Sequence, residues 1–568
     1  MNIIKFFKKA FYYWTITLGS IVTLTCLGFL LIAPKKYIPV LPKAAILSLD
    51  LDGRDQKFFG RASVGDTSLY ETSVMIQEAA KDENVKGIFL KLTSLSMSFA
   101  QIGELQDALQ EFKKAGKKLY LYTSSFGTTK EYYFASLFDE ICMLSVGNVG
   151  IAGFRIEVPF ARALLDKWEI KPNSYHAGKY KSSPESFTET DFTQPHRESA
   201  LSLLSSMEEW VIKEISDWRK ISDVKTFFEK GDLDAKEALE GKLITELGYL
   251  ESFKDKILKI HGEETKFFSS KDYQIILDQK TLPKNTKKIA ILMLAGGIDD
   301  DRGSVRNNPL EDQRVIRPSN VAKQLKEILK DDSVLGLIVR IDSPGGTITA
   351  SEEIWAHLKE FSKKKPVIAS MGTVAASGGY YIASACSKIV AQPLTVTGSI
   401  GVFGGKLNTS KFWENLGVHW GEIYTMESAT LHSTNHDFSP FQEERLKKGA
   451  NDAYNIFKQR VADGRNLTLD EVEKIAQGRV WTGVQAHERK LVDALGGLNV
   501  AFELAKKEIK LQENEKVELY LHARSIGLFD VFMNVLGFDN EELDLNLSLI
   551  SSFWNIFNPQ MSEFNVKG

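Results

Sequence analysis

One serine stands among unusually small neighbours in MGTVAASGGYYIASA, residues 371–385. Ser377 has two alanines before it and two glycines after it, with no bulky side chain until Tyr380. Such residues let the backbone turn tightly and let another chain approach closely. A hydroxyl so placed can act as a nucleophile if a base takes its proton. No His, Asp or Glu lies in that stretch to do so. A second glycine turn, Pro344-Gly345-Gly346, lies in RIDSPGGTITASEE. Backbone N–H groups in glycine turns at strand ends suit an oxyanion hole, and Gly346 and Gly378 are the expected donors.

The search for the base leads to an internal repeat. VKGIFLKL at Val85 resembles VLGLIVRI at Val334, and EYYFASLFDEI at Glu131 resembles GYYIASACSKI at Gly379. VGNVGIAGF at Val146 resembles TGSIGVFGG at Thr397, and AKEALEGKLITELG at Ala235 resembles GVQAHERKLVDALG at Gly483. The four offsets, 249, 248, 251 and 248, are collinear, the mark of a duplicated unit. The first copy is expected over residues 43–260 and the second over 287–509, with a polar, lysine-rich linker at 261–286 and a tail at 510–568. Within each copy short apolar runs alternate with helical periods. In the second, KIAILML precedes SNVAKQLKEILKDD, then VLGLIVRI, ASEEIWAHLKEFSKK and PVIASM. That alternation predicts an α/β fold with a mostly parallel sheet flanked by helices.

The copies differ where chemistry is at stake. Aligning the Tyr-Tyr pairs puts Thr129, Lys130 and Glu131 of the first copy where the second has Ser377, Gly378 and Gly379. The first copy instead carries HAGKYKSSPESFTETDF, whose counterpart ESATLHSTNHDF has no lysine. One copy thus holds a nucleophile and the other a candidate base, about 200 residues away in sequence. Lysine is a base only when neutral, and burial lowers its ordinary pKa of about 10.4. Lys179 and Lys181 are two apart and would share a face of a strand, so spacing does not choose between them.

From Ala10 to Ala33 the chain carries no charge, long enough to span a bilayer as a helix. No small-residue cleavage site follows, so it is expected to be an uncleaved signal anchor within residues 1–42. Lys5, Lys8, Lys9 and the amino terminus precede it, against Lys35 and Lys36 after it, which predicts a cytoplasmic N-terminus with the rest outside. A formal net charge of −3 gives no footprint for nucleic acid. Cys26, Cys142 and Cys386 lack metal or disulfide spacing, and His432 and His436 read as a solvated pair. In the tail, Leu528, Phe529, Phe532, Val535 and Leu536 share one helical face, expected to pack in the core or against another subunit.

The set SPGG, AASGGYY, TGSIGVFGG and GKYKSSPESF, with the duplication and the anchor, resembles the signal peptide peptidase A family in its long, duplicated (protease IV) form. The resemblance implies two tandem crotonase/Clp-protease-like domains preceded by one transmembrane helix, and a Ser–Lys dyad. It places the nucleophile on Ser377, the base on Lys181 rather than Lys179, and a hydroxyl partner of the amine on Ser399. It implies no metal and no cofactor. It also implies homo-oligomers on the outer face of the cytoplasmic membrane that degrade cleaved signal peptides and other apolar peptides. The expected function is therefore a membrane-anchored serine endopeptidase. A crotonase-type acyl-CoA enzyme or a catalytically idle membrane scaffold are the alternatives, since glycine-rich oxyanion holes recur on this fold.

Overall fold

The computed structural model describes residues 39–51, 68–279, 286–301, 315–511 and 516–522. The apolar stretch 10–33 and most of the tail lie outside the described residues. Among those described, no helix is long and apolar enough to cross a membrane.

Each copy lays six parallel strands side by side in the same spatial order. In the first, Glu246–Leu247, Glu140–Met143, Lys118–Thr123, Val85–Leu92, Ala45–Leu49 and Lys266–Ser269 lie side by side. In the second, Ala494–Leu495, Lys388–Ala391, Val367–Ala376, Val334–Ser343, Lys287–Ala295 and Val517–Leu521 repeat that order. The central strands are near-continuous apolar runs because helices cover the sheet, as parallel sheets require. An antiparallel extension, Val396–Gly398 against Val480–Thr482, has its twin in Asn148–Gly150 against Asp232–Asp234.

The sixth strands correct two expected boundaries. Lys266–Ser269 and the helix Ser270–Asp278 lie in the stretch expected as a linker, yet the strand pairs with Ala45–Leu49 and Tyr273 is buried in the first core. Val517–Leu521 lies in the expected tail, yet it completes the second sheet. Both are short edge strands among charged residues. Their apolar residues, Phe267 and Phe268 in one and Val517, Leu519 and Leu521 in the other, form runs too short to set a period against the charged residues on either side.

The copies are not beads on a string. The helix Phe99–Lys114 of the first copy, opened by a capping box from Ser98 and Gln101, lies against the strand Val367–Ala376 of the second. Its Leu105, Leu109 and Phe112 join one buried cluster with Ile368, Val390 and Leu498 of the second copy. Glu104 on that helix meets Arg340, a fully buried arginine, at 2.6 Å and accepts the Leu498 N–H at 2.9 Å. Asp107, one turn on, accepts from the Gly497 N–H and the Gln392 amide. Burial, reinforced by nearby Glu104, raises the Asp107 carboxyl to about 7. Both side chains accept otherwise unpaired backbone N–H groups at the start of the helix Leu498–Glu508 across the junction. Glu104→Ala is expected to cost about 3–5 kcal/mol, because it leaves the buried Arg340 charge without that carboxylate. Urea unfolding of the intact chain would measure it, and a loss under about 1 kcal/mol would show that the pair does not hold the copies together.

The copies also share a ribbon. Lys171–Ala177 of the first pairs antiparallel with Val402–Asn408 of the second along all seven residues. A long helix follows each ribbon strand, Gln194–Arg219 and Pro440–Arg465, both with proline in the first turn and a left-handed residue at the end. The ribbon brings the lysine-bearing segment of one copy to the serine of the other.

Candidate active site

The strand Val367–Ala376 ends at Ser377, which opens the short helix Gly378–Ala383. Ser377 sits at φ 53°, ψ −119°, outside the regions open to most L-residues, a strain that surrounding bonds must hold. They do: its N–H donates to the Gly398 carbonyl at 2.9 Å, and its carbonyl accepts the Tyr381 N–H at 2.9 Å. The hydroxyl is thereby fixed at a sharp strand-to-helix turn.

The glycines around it are demanded by contact. A Cβ on Gly378 would stand 2.5 Å from the Ser351 hydroxyl and 3.1 Å from the Gly346 nitrogen, and one on Gly346 would strike the Ile298 carbonyl. The Gly346 and Gly378 nitrogens therefore lie near one another beside Ser377, and among the described residues neither N–H is given to a protein acceptor. In the first copy the corresponding place is filled by its own side chains. Thr129 donates to the Ala152 carbonyl and accepts the Ala152 N–H, while the Glu131 carboxylate accepts the Gly127 N–H.

Lys181 arrives from the first copy. The ribbon strand stops at Ala177, and Gly178 (φ 112°) turns the chain against Gln477. The Tyr180 N–H donates to the Gln477 carbonyl at 2.7 Å, and Gly478 leaves room for the Lys181 backbone. Lys181 is only 3% exposed, and its Nζ lies 3.1 Å from Ser377 Oγ, 3.0 Å from Ser399 Oγ and 3.1 Å from the Ser399 carbonyl. Burial lowers its pKa from 10.5 to about 8. The three oxygens suit either protonation state: the ammonium donates to all three, and the neutral amine can donate to the Ser399 carbonyl and hydroxyl and turn its lone pair to the Ser377 hydroxyl.

Lys179 is separated from this site. It is exposed, with its ammonium over the Tyr180 ring at 4.8 Å. The shared strand face expected for the two lysines does not exist, because the strand has ended and the chain turns between them. The sequence reading missed Gln477 and Gly478, which seat the lysine turn. The dipeptide QG between two repeat matches was its only trace. His436 pairs with Glu422, and among the described residues no cluster of His, Cys, Asp or Glu is arranged to hold a metal ion.

Two duplicated α/β sheets, a strained serine at a strand-to-helix turn and glycine N–H groups beside it define a peptidase of the serine class. The chain belongs to peptidase family S49, whose model matches it twice, at residues 111–261 and 359–512. It is 30% identical to the chloroplastic serine protease SPPA of Arabidopsis thaliana over 503 residues, 87% of this chain and 73% of the relative. It is 30% identical to Protease 4 of Salmonella typhi over 480 residues, 81% of this chain and 75% of the relative. A putative signal peptide peptidase SppA of Enterococcus faecium is 35% identical over 235 residues, 41% of this chain and 67% of the relative. The double match and the long coverage place the chain with the long, duplicated type, as its sequence motifs implied. It is a serine peptidase.

Proposed function

We propose that the chain is a membrane-anchored endopeptidase in which Ser377 and Lys181 form one dyad across the two copies. The observation that carries this is the buried Lys181 amine 3.1 Å from the Ser377 hydroxyl. Neutral Lys181 takes the Ser377 proton as Oγ bonds to the scissile carbonyl carbon. The carbonyl oxygen becomes an oxyanion facing the Gly346 and Gly378 N–H groups. The Lys181 ammonium then gives its proton to the leaving amine as the C–N bond breaks. Water, deprotonated by the same lysine, then bonds to the acyl carbon, and the C–Oγ bond breaks as the Lys181 ammonium returns that proton to Ser377. The scheme uses no metal or cofactor, and activity is expected to withstand EDTA.

Apolar peptides, including cleaved signal peptides, are the proposed substrates. The relatives' printed names and the uncharged stretch 10–33 support this reading, since an anchored peptidase meets such peptides where they are released. The proposed setting is the cytoplasmic membrane, spanned once, with both copies on its outer face and the chain in a homo-oligomer.

The test is a serine-directed phosphonate on the full chain. Ser377 is expected to be labelled, with a rate that rises with pH through about 8 as Lys181 loses its proton. A rate that stays flat from about pH 6 to 9 would remove lysine as the base. Ser399→Ala is expected to slow turnover by about 1–3 kcal/mol, since the amine keeps the Ser399 carbonyl but loses the hydroxyl. Unchanged kcat would reduce Ser399 Oγ to a packing atom.

A further inference from the structure

The segment Gln477–Arg479 runs between the lysine turn of the first copy and the loop after Gly398 in the second. Its backbone bonds reach both: the Gln477 carbonyl accepts from Tyr180 of the first, while the Gly478 N–H donates to Ile400 and the Arg479 carbonyl accepts the Ser399 N–H at 2.8 Å in the second. The Arg479 side chain then reaches back to the first copy. Its guanidinium lies over the Tyr180 ring at 4.9 Å and over Trp481 at 4.6 Å. Nη1 donates to Glu198 at 2.9 Å, and the same carboxylate oxygen accepts the Tyr180 hydroxyl at 2.9 Å. Glu198 belongs to the long helix Gln194–Arg219 of the first copy.

We infer that Arg479 is a positioning residue, which sets the Lys181 amine against Ser377 by clamping Tyr180 from the second copy. The duplication separates this role from that of the fold. The equivalent backbone bond exists in the first copy, where the Ile151 N–H donates to the Gly231 carbonyl, and the flanking strands pair in the same register. Gly231 has no side chain, so the fold makes this bond without an arginine. Only the copy that receives a lysine from its twin carries a guanidinium there. Arg479 touches the residue before the base and supports the Ser399 that binds it, yet its side chain bonds Tyr180 and Glu198 and not Ser377 or Lys181. The charged groups around it are Glu198 on the long helix, Lys179 over the Tyr180 ring, and Arg489 stacked on Trp481. The Tyr180 hydroxyl, with help from Arg479, holds the Glu198 carboxyl below its usual range, so the clamp stays charged at neutral pH.

This inference rests on the dyad proposed above, and the experiment separates the two. Full-length Arg479→Ala, Arg479→Lys and Glu198→Gln are assayed with an internally quenched apolar peptide across pH, beside Ser377→Ala and Lys181→Met. Arg479→Ala is expected to lower kcat by roughly 10- to 100-fold, the scale of a small misplacement of a reacting group, with KM changed by less than about threefold. Its rising limb is expected to move to higher pH, because a loosened lysine turn admits water to the amine. Arg479→Lys is expected to recover part of both effects, and Glu198→Gln, at a half-exposed rim, to show a smaller loss in the same direction. If Arg479→Ala lowers thermal stability, Glu198→Gln carries the test. An unmoved limb in both Arg479→Ala and Glu198→Gln, or a change in KM alone, overturns the positioning role while dead dyad variants leave the chemistry standing. Activity in Lys181→Met overturns both.

Discussion

Ser377→Ala is expected to lower peptide hydrolysis by about a thousandfold or more, the scale at which nucleophile removal acts in serine peptidases. The loss comes from one atom. The backbone of Ser377 is held by Gly398 and Tyr381, neither of which bonds the side chain, so the turn survives. Alanine keeps the strain of the positive φ, whereas Ser377→Gly would relieve it and is expected to raise stability by about 1 kcal/mol while also being inactive. Thermal unfolding of both variants beside wild type would show it. A Ser377→Ala enzyme retaining more than about a tenth of wild-type turnover would take the nucleophile away from this residue.

Lys181→Met is expected to be inactive and more stable. Burial holds the amine at about 8, below its ordinary 10.5, so the unfolded chain binds more protons between those values. The native state therefore carries a penalty of about 3 kcal/mol that is full below pH 8, fades as pH rises towards 10.5, and is absent above it. Methionine fills the same buried space without charge, and the Ser399 hydroxyl and carbonyl left without the amine offset part of the gain. The stabilisation should be plain at pH 7 and vanish near pH 10.5. A Lys181→Met chain that unfolds more readily than wild type at pH 7 would contradict the burial argument. Lys179→Ala is expected to keep nearly full activity, since Lys179 lies in solvent against Tyr180. Because Lys181 and Ser377 meet within one chain, a co-expressed mixture of Ser377→Ala and Lys181→Met chains is expected to be inactive. Recovered activity would mean that the dyad closes between chains.

Much of this was legible from residues alone. Collinear repeats reveal a duplication because both copies must fill the same kind of core, and the apolar strand runs and Tyr-Tyr pairs are that requirement written twice. The fully buried Tyr132 and Tyr380 each donate to a backbone carbonyl, of Leu243 and Leu491, at the same repeat offset. The serine was legible because only small residues fit a turn packed against Ser343, Ser351 and Gly345. The edge strands Lys266–Ser269 and Val517–Leu521 were not, since four or five residues between charged stretches are too short to set a period.

By itself the sequence determined the duplicated α/β architecture and pointed to Ser377 with Gly346 and Gly378 beside it, because local sterics and apolar periodicity act over a few neighbouring residues. Comparison of the two copies narrowed the base to two lysines, spacing went no further, and only a family resemblance pointed to Lys181. Tertiary structure alone decided that Lys181 is buried and Lys179 is not, through the turn at Gly178, the seat on Gln477 and Gly478, and the three oxygens around one nitrogen. It also decided that Arg479 faces Tyr180 and Glu198 rather than solvent. The physical reason is that a lysine becomes a base by losing water. Desolvation is contributed by atoms hundreds of residues away in sequence, so it arises only once the two copies have closed on each other.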